Sequence, residues 1–107
     1  EGAISGIIQM PGDEGAIPSL KPHISAIIPN PAMETATVSI WSPFEVSDAI
    51  IELYDIQGGL VKTIVLPILP KGNSAITIDL ADYSSGAYMV ILKTHRGTST
   101  KNMVIIK

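Results

Sequence analysis

Apolar and polar residues alternate in short runs along most of this chain. In Thr35–Trp41, Ala36, Val38 and Ile40 fall on one side while Thr37 and Ser39 fall on the other. Ala75–Leu80 places Ile76, Ile78 and Leu80 together, and Gly86–Thr94 does the same with Tyr88, Val90 and Leu92. A period of two belongs to an extended strand with one face on a core and the other in water. The pattern predicts strands over His23–Ile28, Thr35–Trp41, Ala49–Asp55, Leu60–Leu66, Ala75–Leu80, Gly86–Thr94 and Thr98–Ile106. Between them lie Pro29-Asn30-Pro31, Ser42-Pro43, Gln57-Gly58-Gly59, Pro67 to Asn73, Ser84-Ser85 and Arg96-Gly97. Glycine admits positive φ, and proline fixes φ and removes a ladder donor, so each cluster ends the strand before it. No segment sustains a helical stripe. Short strands with turns about every 8–12 residues predict an all-β, immunoglobulin-like Greek-key sandwich.

The first 22 residues have a different texture. Gly2, Gly6, Gly12, Gly15, Pro11, Pro18 and Pro22 predict an extended connection, with at most one short strand over Ile4–Met10. The expected organisation is a linker over residues 1–22 and a sandwich domain over residues 23–107. The chain starts at Glu1 and shows no signal peptide, which suggests a piece of a longer protein attached to something upstream.

Composition narrows the function classes. Of 107 residues, 46% are hydrophobic and 16% charged, which is too apolar for a disordered chain. The mean hydropathy is nonetheless not that of a membrane span: no run approaches the ~20 apolar residues needed to cross a bilayer, and Ile64–Leu69 is interrupted by Pro67. No stable membrane insertion is expected. The net charge is −3 and the seven Lys and Arg are scattered, so neither nucleic acid nor an anionic membrane surface is an expected partner. The absence of cysteine excludes disulfides, thiol catalysis and thiolate metal sites.

The remaining chemistry is sparse. His23 and His95 stand without an orienting carboxylate nearby in sequence, and read as strand-edge residues. No serine lies in a Gly-x-Ser-x-Gly elbow. Asp13-Glu14 lacks the alternating oxygen ligands of a calcium loop. Asp55 and Asp79 sit at strand-to-turn junctions, where a carboxylate caps local backbone N–H groups in preference to cleaving glycosides. Gln57-Gly58-Gly59 lacks the lysine of a phosphate loop, and Trp41, Phe44 and Tyr54 read as core or partial-core aromatics. No catalytic, cofactor or metal site is expected, and the chain does not read as an enzyme.

Four blocks carry a resemblance. Ile27-Ile28-Pro29-Asn30-Pro31-Ala32 is a strand entering a Pro-Asn-Pro turn. Ile51-Glu52-Leu53-Tyr54-Asp55-Ile56-Gln57-Gly58-Gly59-Leu60-Val61 is a hairpin of the form apolar-x-apolar-Tyr-Asp-x-x-Gly. Gly72-Asn73, Ile76–Leu80 and Ser85-Gly86-Ala87-Tyr88 form the third block, and Val90–Thr94, Gly97-Thr98 and Thr100-Lys101 through Val104-Ile105-Ile106-Lys107 the last. In order and spacing this resembles the C-terminal sorting domains of cargo proteins of the type IX secretion system, the secretion-tail family of Bacteroidetes. Gly59 stands where that family commonly has arginine, and Tyr83-Ser84 replaces its Leu-Pro.

The resemblance implies a secretion signal that takes an upstream cargo domain through the periplasm and across the outer membrane to the cell surface or medium. It implies an outer-membrane translocon, a shuttle protein and a sortase-like cysteine protease as partners, with a cut upstream of the domain; the extended, glycine-rich residues 1–22, which can enter a protease cleft, are where that cut is expected. Candidate recognition residues are Pro29, Asn30, Pro31, Asp55, Gly58, Gly86, Tyr88, Lys101, Val104, Ile105, Ile106 and Lys107. The terminal run Met103–Ile106 is apolar at every position, which predicts a central strand buried on both faces or an edge offered to a receptor by strand addition. The alternative function is an adhesion or carbohydrate-binding module, which would show Trp41, Tyr54 and Tyr88 exposed on one face.

Overall fold

A computed structural model describes residues 21–107; the predicted linker and the Ile4–Met10 strand therefore lie almost wholly outside the described residues. Seven strands follow in order: β1 (His23–Ile28), β2 (Thr35–Ser42), β3 (Val46–Asp55), β4 (Leu60–Leu69), β5 (Gly72–Asp79), β6 (Gly86–Thr94) and β7 (Gly97–Ile105). They form two antiparallel sheets, one ordered β1-β2-β5 and the other β4-β3-β6-β7. β2 pairs with β5 and β3 with β6, neighbours in space but not in sequence, as Greek-key wiring requires.

The alternation read from sequence is the alternation of burial. Ala36, Val38 and Ile40 from β2 are fully buried, as are Val90 and Leu92 from β6, with Tyr88 at 8% exposure. Ile51 and Leu53 from β3, Ile78 from β5, Leu80 just beyond it, and Met103 and Ile105 from β7 complete the centre of the core. Each such side chain contributes about 1.5–3 kcal/mol on burial, so the core is the main source of stability.

Three strand boundaries differ from the expectation by three residues each, the others by one at most. β3 starts at Val46, whose side chain is buried, and β5 starts at Gly72. β4 runs through Pro67 to Leu69, although a proline was expected to end it. The reason is position: β4 is an edge strand, where a missing N–H costs no ladder bond. The pairing passes from Ala49↔Leu66 to Ser47↔Ile68, so Pro67 stands opposite Asp48, whose φ is 58°.

The far edge of the same sheet is β7, and other parts of the chain contact both of its ends. Lys21 Nζ donates to Thr98 O (3.2 Å), and Ile24 N donates to Ser99 Oγ (3.0 Å). Further along, the strap that joins β1 to β2, Pro29–Met33, lies against the end of β7, with Ala32 fully buried and bridged in parallel to Ile105.

Candidate functional site

The strap and the end of the chain are bonded residue by residue. Ala32 N donates to Val104 O (2.8 Å) and Ile106 N donates to Ala32 O (2.8 Å). Asn30 supplies two more bonds from its side chain: its Oδ1 accepts from Val104 N (3.0 Å) and its Nδ2 donates to Asn102 O (3.3 Å). An amide side chain carries one acceptor and a donor pair, so asparagine can stand in for a strand backbone where the flanking prolines cannot. Pro29, Asn30 and Pro31 are thereby brought to the same place as Val104, Ile105 and Ile106.

The terminal strand is not buried on both faces, the first of the two things its composition suggested. Met103 and Ile105 are buried, yet Val104 is 40% and Ile106 51% exposed, so the strand has one buried face. At its end, Asn102 O, Val104 N and O, and Ile106 N already have the partners named above.

Lys107 closes the other side of this joint. Its Nζ donates to Leu80 O (2.8 Å) and Ala81 O (3.1 Å), and its N donates to Ser85 Oγ (2.8 Å). Leu80 is itself fully buried, and its N donates to Glu34 O (2.8 Å). The ammonium thus ties the last residue to the β5–β6 connection. From the start of β6, Tyr88 reaches back into that connection, its hydroxyl donating to Ser84 O (2.7 Å) across Ser85, Gly86 and Ala87. This is a tyrosine corner, with the ring in the core and its polar end satisfied.

The Asp55–Gly59 turn is built by one carboxylate. Asp55 Oδ1 accepts from Gln57 N (3.0 Å) and Gly59 N (2.8 Å), while Gly58 N donates to Asp55 O (3.0 Å). Gly58 takes φ 85°, a conformation that a side chain disfavours. Asp79 likewise spends its Oδ1 on Ala81 N (3.0 Å). Both aspartates are structural caps in this arrangement, as their positions at strand ends predicted.

On the outer face of the four-stranded sheet, Glu52 Oε1 accepts from Tyr54 OH (2.8 Å) and pairs with Lys93 Nζ (2.8 Å). The hydrogen bond from Lys93, followed by that from Tyr54, holds the Glu52 carboxyl below its ordinary range. The same Glu52 bond pushes the Lys93 ammonium and the Tyr54 hydroxyl upward. Beyond this triad, a groove of about 400 Å³ runs between the Asp55–Gly58 turn, Ala87, Met89 and Asn102–Val104.

Chemical candidates do not assemble. Among the described residues no group of three or more His, Asp or Glu could hold a metal ion. His23 rests beside Trp41, ring centroids 5.6 Å apart, and has no carboxylate partner among its bonds. The aromatic platform of the alternative reading is absent, because Tyr88 is in the core while Trp41 and Tyr54 belong to different sheets. Lys101 is exposed on β7, opposite Val90.

Sequence reasoning brought forward the strap, the Asp55 turn, the tyrosine corner and the last strand. It did not foresee that Asn30 binds the strand end or that Lys107 binds Leu80 and Ala81. Exposed Ile28, Met33 and Ile56 also went unremarked, because an apolar residue at a strand end carries no sign of its direction.

Comparison with known proteins follows the same outline. No curated protein matches the sequence. Among solved structures, the fold is similar to part of dimeric latent PorU from Porphyromonas gingivalis, with a TM-score of 0.59 and 22% identity over 76% of this chain. It is also similar to part of a β-glucosidase from Kluyveromyces marxianus, with a TM-score of 0.53 and 14% identity over 81% of this chain. The chain spans 9% of the first and 14% of the second, and at these identities the likeness is one of fold. Residues 26–107 match the family model described as a secretion system C-terminal sorting domain. With that match running from the strand before the strap to the last lysine, the chain belongs to the family of type IX secretion C-terminal sorting domains.

Proposed function

We propose that this domain is read as a folded unit by an outer-membrane translocon and its shuttle after an upstream cargo has reached the periplasm. A sortase-like cysteine protease then separates cargo from domain within residues 1–22, leaving the cargo at the cell surface or in the medium. In this role the domain performs no catalysis. It is an address, and residues 23–107 are the unit that carries it.

The supporting observation is the joint between the Pro29–Met33 strap and Val104–Ile106. Motifs 74 positions apart in sequence are hydrogen-bonded to one another, Asn30 to Val104 among them. A signal made of such parts exists only in the folded chain. Its assembly also depends on Tyr88 and Leu80, which fix the connection that Lys107 grips.

The test is a fluorescent reporter bearing a signal peptide and residues Glu1–Lys107, expressed in a bacterium with a working type IX system and in a translocon-deficient strain. Reporter at the surface or in the medium of the first strain, and held in the periplasm of the second, is the expected result. Periplasmic retention of a folded domain in both strains would remove this reading.

A further inference from the structure

The two sheets close on one another unevenly. Along one flank, Ile24 of β1 and Met103 and Ile105 of β7 are almost wholly buried. The flank formed by β4 and β5 is more open. Ala49 and Ile51 on β3 are buried, yet their partners on β4, Leu66 and Ile64, are only partly so. On β5, Ile76 is partly buried although its neighbour Val38 on β2 is fully buried. Tyr83 covers one end of this flank, where its hydroxyl donates to Val61 O (3.4 Å). Half-covered apolar side chains on the inner face of a sandwich are what remains where the facing layer is a strand short. The edge of β5 is also unpaired: among the described residues β2 is its one neighbour, and no strand meets its other row of N–H and C=O groups.

Outside residues 21–107 the sequence holds one strand-forming run, Ile4–Met10. At period two, Ile4, Gly6, Ile8 and Met10 fall on one side and Ser5, Ile7 and Gln9 on the other, and Pro11-Gly12 ends the run. Its seven residues match the eight of β5. The described chain also begins at the right end of the sheet. His23 pairs with Trp41 and Trp41 with Asn73, so Lys21 and the start of β5 lie at the same end. From β1 past β2 and β5 to the next strand position is three spacings, about 14 Å. Pro11–Leu20 can span about 33 Å, so Met10 reaches that position with chain to spare. A segment running toward Lys21 lies antiparallel to β5, which runs away from that end. The edge of β4 is less suited, because β4 runs toward the same end and its Pro67 offers no N–H.

We infer that Ile4–Met10 is a further strand of this domain, added antiparallel to the outer edge of β5, with Ile8 beside Ile76 and facing Ile64 and Leu66. In that register Met10 lies beside Ser74, and Ile7 lies beside Thr77 on the outer face. The smaller sheet gains a fourth strand, and the chain's own residues cover the open flank. The folded unit then begins at Ile4. This concerns how the domain is built and is independent of the machinery that exports it.

The chain has no cysteine, so paired substitutions in Glu1–Lys107 report the register directly. Opposed residues of an antiparallel pair lie within disulfide reach. Ile7→Cys/Thr77→Cys is compared with Ile7→Cys/Val65→Cys, the second pair probing the edge of β4; Thr77 and Val65 are both exposed. Under mild oxidation the Thr77 pair should close within the monomer roughly tenfold faster than the Val65 pair, or more. Equal rates, faster closure at Val65, or disulfide-linked dimers alone overturn the assignment. Amide exchange supplies a reading that needs no cysteine. Alternate amides of Ile4–Met10 should exchange roughly a hundredfold more slowly in the wild-type chain than in an Ile8→Asp variant. Equally slow exchange in that variant, or exchange throughout Ile4–Met10 at the rate of an unfolded chain in wild type, overturns the proposal whether or not the cysteine variants fold.

Discussion

Tyr88 shows how a single residue ties the core to the end of the chain. Its ring fills the core while its hydroxyl holds Ser84 O at 2.7 Å, fixing the connection from which Leu80 and Ser85 meet the chain end. Tyr88→Phe keeps the ring and loses about 1 kcal/mol of hydrogen bonding, a fall of roughly 4–8 °C in Tm for a domain of this size. Tyr88→Ala loses about 3–5 kcal/mol, a large part of the ~5–15 kcal/mol that holds such a domain together. Chemical denaturation of the two variants checks the ordering, and an alanine variant as stable as wild type contradicts it. This residue was legible in the sequence because its cause is local: a glycine entering an alternating strand, with the aromatic on the core side. Asp55 was legible for the same reason, since the groups it caps lie within four residues of it.

Elements were legible where one face alone decides burial, and misread where position in the sheet decides. The β2 and β6 patterns gave the core directly. Pro67 did not end β4, because only the sheet order reveals β4 as an edge. Met103–Ile106 suggested burial on both faces, yet Val104 and Ile106 stay in water because β7 too has one solvent face. Between β3 and β6, the Glu52–Lys93 pair makes stability depend on pH in a stated direction. Glu52 ionises more readily when folded, so its contribution is present above the ordinary glutamate pKa and is lost as pH falls through the depressed folded value. Wild type and Glu52→Gln should therefore differ in stability near neutrality and converge as pH drops below about 4. Urea unfolding at a series of pH values reads this, and a constant gap down to pH 2 contradicts it.

Across the whole molecule, closure joins positions far apart in the chain. Lys107 reaches Leu80 over 27 positions, and Asn30 reaches Val104 over 74, separations that no local pattern reports. That is why the sequence named these residues as motif members without revealing what they touch. Lys107→Met should remove the ammonium bonds to Leu80 and Ala81 at a cost of about 1 kcal/mol, while keeping the aliphatic stem. Amide hydrogen exchange at Ile106 should quicken in that variant and exchange in β2 should not. Equal quickening throughout would mean that the clasp is not local to the chain end.

The central claim is that the folded domain, closed by its last strand, is an export address. The most direct measurement compares surface reporter carrying Glu1–Lys107 with reporter carrying Glu1–Asn102, which lacks Met103–Lys107, in a type IX-competent host. Surface reporter from the full chain alone, and from neither in the absence of the translocon, is the predicted result. Equal surface reporter from both chains, or a folded full-length domain confined to the periplasm, would contradict it.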